Sequence, residues 1–172
     1  ANVFIDLGRP DKAKQELEQA LQTLPGVAHF LSLRGEAERK MGHAEAAIEW
    51  HRKALAADAK LNTAHYYQAL ALMDLHREDE AIGELEASLR SEFVAPDLYL
   101  TLGSLYAQRK RFREAEDLCR KAIALDPQHS ESYLNLAQLF NAQGLSDKAL
   151  GALKQALPPG KTFASSPYYQ KL

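Results

Sequence analysis

Residues 95–127 read APDLYLTLGSLYAQRKRFREAEDLCRKAIALDP. Tyr99, Leu102, Gly103 and Tyr106 recur at helical spacing in the first half, and Ala115, Leu118, Cys119 and Ala122 in the second. The stretch therefore predicts two amphipathic helices, with Arg109-Lys110-Arg111-Phe112-Arg113 as a basic turn between them. Asp126-Pro127 closes the pair, because proline has no backbone N–H to continue a helix.

The same pattern returns every 34 residues in both directions, without a gap. Forward, Tyr133, Leu136, Ala137 and Phe140 repeat the first helix, and Ala149, Leu153 and Ala156 the second. Backward come His65, Gln68, Ala69 and Leu72 with Ala81, Leu85 and Ser88, then Leu31, Arg34, Gly35 and Glu38 with Ala47, His51 and Ala54. A last step lands on Ala1 and Phe4, then Ala13, Leu17, Ala20 and Pro25. Gly8, Gly42 and Gly144 fall where Lys110 sits, in the turn, a place that suits a left-handed helix end.

Tyr99-x2-Leu102-Gly103-x2-Tyr106, Ala115-x3-Cys119 and Pro127 together resemble the tetratricopeptide repeat, with Cys119 standing where an aromatic is usual. The resemblance implies an all-α fold: a right-handed α-α superhelix, or solenoid, of stacked antiparallel helix hairpins. Gly35, Ala69, Gly103 and Ala137 are the positions where a first helix lets another approach closely, and Ala13, Ala47, Ala81, Ala115 and Ala149 are their counterparts on the second. A lone hairpin cannot bury its apolar face, so the stack is the folding unit. Gln68, Arg34 and Glu38 stand where the family has large apolar residues, and their long side chains are expected to snorkel outward from the packing layer.

The register divides the chain into the second half of a truncated repeat (1–27), four repeats (28–61, 62–95, 96–129 and 130–157), and a closing segment (158–172). All of it is expected to form one continuous solenoid domain. Pro158-Pro159-Gly160 should end the last helix, and Ser166-Pro167 should open a capping helix. Because Ala1 falls inside a first helix, the sequence reads as a piece of a longer protein.

The 172 residues carry a net charge of −2, which argues against a nucleic-acid module. One cysteine excludes an internal disulfide framework, and Cys119 reads as a small buried hydrophobe. The six histidines include no pair three or four apart, so no helical metal pair exists. No nucleophile constellation or phosphate loop is present, and no apolar run has the length to cross a bilayer. The expectation is a soluble, non-catalytic protein without metal or cofactor, cytoplasmic in preference to bacterial envelope or periplasm. The acidic stretch Asp74–Asp97 and the basic turn read as solvated surface paired along helix faces.

The resemblance further implies that first-helix residues left over from packing line a concave groove. From successive repeats these are His29, Leu33, Glu36, Arg39 and Lys40, then Tyr66, Tyr67, Leu70 and Met73, then Leu100, Thr101, Ser104 and Gln108, then Leu134, Asn135 and Gln138. Tyr67 and Leu100 are expected to be exposed to the groove. The family subtype that clamps a chaperone's carboxylate tail needs Lys, Asn and Arg here. This sequence offers Ser32, Glu36, Tyr67, Asp97 and Thr101 in one window, and Tyr66, Leu70, Thr101, Glu131 and Asn135 in the next. The expected partner is a protein or peptide segment. Two other readings are an accessory array beside a transferase-like catalytic domain, and self-association through the first unit.

Overall fold

The computed structural model describes residues 1–90 and 95–156. The linker and capping segment expected at 158–172 fall outside the described residues, within which every regular element is a helix. In chain order these are α1 (Asn2–Asp6), α2 (Pro10–Thr23), α3 (Ala28–Lys40), α4 (Ala44–Ala57), α5 (Asn62–Asp74), α6 (Glu78–Ser88), α7 (Pro96–Gln108), α8 (Phe112–Leu125), α9 (Ser130–Ala142) and α10 (Ser146–Gln155). First helices begin at Ala28, Asn62, Pro96 and Ser130, and second helices at Pro10, Ala44, Glu78, Phe112 and Ser146, each set in steps of 34. The helices belong to two compact units, Ala1–Phe93 with α1–α6 and Val94–Leu172 with α7–α10.

Each hairpin turn closes in the same way. The residue at the turn is left-handed in every repeat: Gly8 (φ 67°), Gly42 (86°), His76 (56°), Lys110 (58°) and Gly144 (73°). The next residue then donates its N–H to the carbonyl five positions back: Arg9 to Phe4, His43 to Glu38, Arg77 to Leu72, Arg111 to Tyr106 and Leu145 to Phe140, at 2.7–2.9 Å. This bond satisfies a carbonyl that the helix end would orphan. His76 and Lys110 hold the turn at the steric cost that a Cβ carries in this region.

Within the first unit α3 packs on α4, α2 and α5, and α5 packs on α6; within the second α7 packs on α8 and α9, and α9 on α10. The small residues do what the spacing assigned to them. Ala13, Ala47, Ala69, Ala81, Ala115 and Ala137 are at most 2 % exposed. A Cβ added to Gly103 would meet the Ala115 carbonyl oxygen at 3.5 Å and Leu118 Cβ at 3.6 Å, ordinary contact distances. A Cβ on Gly35 would lie 2.6 Å from the His51 ring, so this glycine makes room for the imidazole.

The expectation for Arg34, Glu38 and Gln68 is overturned: all three are buried. Arg34 Nη1 donates to Glu38 Oε1 at 2.5 Å, and its Nη2 to Glu18 Oε1 at 3.0 Å. Lys14 Nζ lies 3.3 Å from Glu38 Oε1, and His43 Nδ1 2.8 Å from Glu38 Oε2. The Arg34 guanidinium also lies over the Trp50 ring, 5.2 Å from its centroid. Gln68 Nε2 likewise donates to Glu84 Oε1 at 2.9 Å, and His65 Nδ1 lies 2.7 Å from Glu84 Oε2. Snorkelling fails because partly exposed side chains on α2, on α6 and at the α3–α4 turn reach in as partners, and a paired charge can stay where an unpaired one cannot. Burial on its own would raise the Glu38 pKa, but hydrogen bonds from His43, Arg34 and Lys14 and the charge of Arg34 bring it down to about 2.

Two predictions follow from this packing. Leu102 and Tyr106 hold the register positions of Arg34 and Glu38 two repeats on, so the apolar pair has a precedent in this chain. Arg34→Leu or Glu38→Tyr alone should lose about 3–5 kcal/mol in urea unfolding, whereas the double variant should recover most of that loss. Gly103→Ala should raise stability by about 0.5–1 kcal/mol through helix propensity, while Gly35→Ala should lower it by roughly 1–3 kcal/mol because the His51 ring holds the space.

Candidate functional site

The residues assigned to a groove lie on α3 and α5 in the first unit and on α7 and α9 in the second. On α3 and α5 the charges are tied together. Arg39 grips Glu36 through two hydrogen bonds of 2.8 Å and reaches Asp74 Oδ2 on α5 at 3.0 Å. Lys40 Nζ stands 3.8 Å from Glu36 Oε1. Such a forked guanidinium fixes both carboxylates and joins one repeat to the next. Beside it Tyr66 and Tyr67 lie with ring centroids 5.7 Å apart, and Leu70 and Met73 are half-buried on the same helix. The Tyr67 hydroxyl has its pKa raised, by burial first and by Glu36 second. His29 is exposed at the start of α3.

Three of these residues are not open side chains. Leu33 is buried in a core cluster with Ile5, Ala13, Leu17 and Ala37. Glu36 is buried under its ion pairs. Leu100, expected to be exposed, is 6 % exposed, in a helix whose Leu98, Leu102, Leu105 and Tyr106 are also buried. A helix apolar around most of its circumference withdraws more than one face from water.

One buried group stands out at a packing position of the repeat. His51, on α4, is fully buried, and neither ring nitrogen has a hydrogen-bond partner. It stacks on Tyr67 with 6.1 Å between ring centroids. Burial, with the Arg39 charge as a second cause, lowers its pKa to about 4. The signal was available in sequence. Position 51 holds Leu17, Leu85 and Leu153 at the same register elsewhere, and Gly35 opposite it is the smallest residue available.

In the second unit the assigned residues surround an opening. Ser104, Gln108, Asn135 and Gln138 line a cavity of about 330 Å³ with Gly103, Ala107, Ala115, Cys119, Leu139 and Ala142. Thr101 Oγ1 donates to the Asp97 carbonyl at 2.7 Å, Ser104 Oγ to the Thr101 carbonyl at 2.9 Å, and Asn135 Nδ2 to the Glu131 carbonyl at 3.0 Å. Leu134 is half-buried and Gln108 and Gln138 are exposed. Cys119 is buried, and burial pushes its thiol up to about 11, so it stays protonated. Among the described residues no group of three His, Cys, Asp or Glu side chains could hold a metal ion, and no helix is long and apolar enough to cross a membrane.

Helix hairpins in a 34-residue register, with small residues at their crossings, define an all-α repeat protein. Family models for the tetratricopeptide repeat match residues 1–62 and 95–158, and the chain belongs to that family. It is 24 % identical over 154 residues to the tetratricopeptide repeat-containing protein trd-1 of Caenorhabditis elegans, a match that covers 90 % of this chain and 19 % of that protein. The chain thus spans less than a fifth of the length of the curated relatives it matches. Among solved structures it resembles MamA, with a TM-score of 0.75 and 24 % identity over 89 % of this chain and 90 % of that one. It also resembles YrrB, described as a tetratricopeptide protein with an unusual peptide-binding site, with a TM-score of 0.72 and 20 % identity over 81 % and 72 % of the two chains. These likenesses show the fold, an all-α tetratricopeptide solenoid.

His51 makes stability depend on pH. Above about pH 6.5 the ring is neutral in the folded and the unfolded chain alike. Below it the unfolded chain takes up a proton that the folded chain refuses until about pH 4, so stability falls through that window, by roughly 3 kcal/mol in all. His51→Leu should flatten the pH dependence of the urea midpoint between these limits. It should also stabilise the chain by about 1 kcal/mol at pH 7, since an unpaired buried polar ring gives way to the residue used in three other repeats.

Proposed function

We propose that this chain is a non-catalytic protein-interaction scaffold, and that the first-helix faces of its units each take a segment of a partner protein. The observation that carries this reading is the cluster left over after packing on α5: Tyr66, Tyr67, Leu70 and Met73, all half-exposed on one helix. Aromatic and Met side chains are the residue types enriched where proteins bind. The ion-paired Arg39, Glu36 and Asp74 beside them hold that face rigid, which lowers the ordering cost of binding. The peptide-binding site named for YrrB supports the reading by likeness of fold. Partners of protein or peptide nature follow from it; nucleic acid does not, given the slightly acidic charge.

The test is affinity capture with the full chain as bait. Tyr66→Glu with Leu70→Glu should abolish capture of partners held by the first unit, and Leu134→Glu with Gln138→Glu those held by the second. Lys148→Glu on α10 should leave capture intact. All variants should keep the parent helical spectrum and melt within a few degrees of it. Capture that survives both double variants would sink the proposal.

A further inference from the structure

The cavity of the second unit has a simple origin in the repeat register. Where Ala107 stands, the two preceding repeats carry Arg39 and Met73; where Cys119 stands, they carry His51 and Leu85. Both replacements are small, Gly103 between them has no side chain, and α9 closes the far wall with Leu139 and Ala142. The volume that long side chains fill elsewhere in the sequence is left open here.

We infer that this cavity is the receptor for one uncharged, aliphatic side chain of the partner segment, of leucine or methionine size, whose flanking peptide groups are held by the amides of Gln108, Asn135 and Gln138. The inference rests on the proposed scaffold function and names the chemistry of the segment. At about 330 Å³ the space lies at the lower end of the roughly 300–1,000 Å³ of small-molecule pockets, enough for one bulky side chain. No Asp, Glu, Lys or Arg lines it, and the Cys119 thiol is held neutral, so an entering charge would shed its water for no counter-charge. Most of the lining that Gly103, Ala107, Ala115, Leu139 and Ala142 contribute is apolar, so a hydrocarbon occupant is favoured. Among the described residues the side-chain amides of Gln108 and Gln138 have no protein hydrogen-bond partner, and each can donate to one peptide group and accept from the next. Amides on α7 and on α9 thus read backbone on both sides of a buried side chain, a geometry that suits a peptide better than a free apolar molecule.

A random library of capped heptapeptides, selected against the full chain, tests this directly. The expected ligands share one Leu, Met or Ile at a fixed position, and changing that residue to Ala, Lys or Asp weakens binding roughly ten- to hundredfold. Ala107→Leu, which fills the cavity, should weaken the same ligands at least tenfold; Gln138→Glu, which places a charge at the rim without adding bulk inside, should do so in a chain of unchanged helical spectrum. Ligands that survive both variants but are lost on Tyr66→Glu with Leu70→Glu would overturn the pocket and leave the scaffold function standing. A selected motif centred on a charged residue would overturn it equally. Selection of no peptide on either unit would count against both, and binding of free methionine or leucine amide as tight as that of the peptides would reassign the cavity to a small molecule.

Discussion

Everything in this chain depends on how closely two helices of a hairpin can approach. A small residue on each helix, Ala or Gly on the first and Ala on the second, sets that distance, and it recurs every 34 residues. Once the backbones are that near, the larger side chains at neighbouring positions have a fixed space to fill. Leu85 and Leu102, almost wholly buried, fill it with carbon. The turn is fixed by the same spacing, because the left-handed residue and its five-back hydrogen bond must come where the first helix ends.

Given a fixed frame, variation at single positions has local and opposite results. In the repeat of α3 and α4 the core position carries an imidazole, and glycine opposite makes way for it. In the repeat of α7 and α8 the same position carries Cys119, and the space stays open. One substitution overfills the crossing and strands two nitrogens without partners; the other leaves a cavity edged by amides. The frame tolerates both because the contacts of each hairpin with its neighbours are many and individually modest.

The fold was legible in the sequence because its signal is periodic: Gly8, Gly42 and Gly144 at the turns and the alanines at the crossings sit where the register puts them. The stripe of first-helix residues divides in the structure: Ser104, Gln108, Asn135 and Gln138 come together around one opening, whereas Leu33, Glu36 and Leu100 are buried. What periodicity could not give was the third dimension of a side chain. Polarity alone points Arg34 and Glu38 outward, yet Lys14 and Glu18 on α2 supply charges, and the His43 ring a hydrogen bond, that let them stay inside. Leu100 was read from its place on the stripe as open, but whether a helix hides one face or two is decided by what flanks it. A cavity, finally, is made of missing bulk: Ala107 and Cys119 stand out as small only against Arg39, Met73, His51 and Leu85 at the same register, and no single residue marks the space that opens between them.

The charged knot of Arg34, Glu38, Glu18 and Lys14 has a consequence for how the array assembles. Hairpins built to one plan offer one another nearly the same surface, so a growing stack can seat a neighbour out of turn. A hairpin that took the place of the one holding α3 and α4 would leave Glu18 and Lys14 of α2 without the guanidinium and carboxylate they meet there. The knot is therefore an address written in charge, which tells otherwise interchangeable pieces of the chain their order.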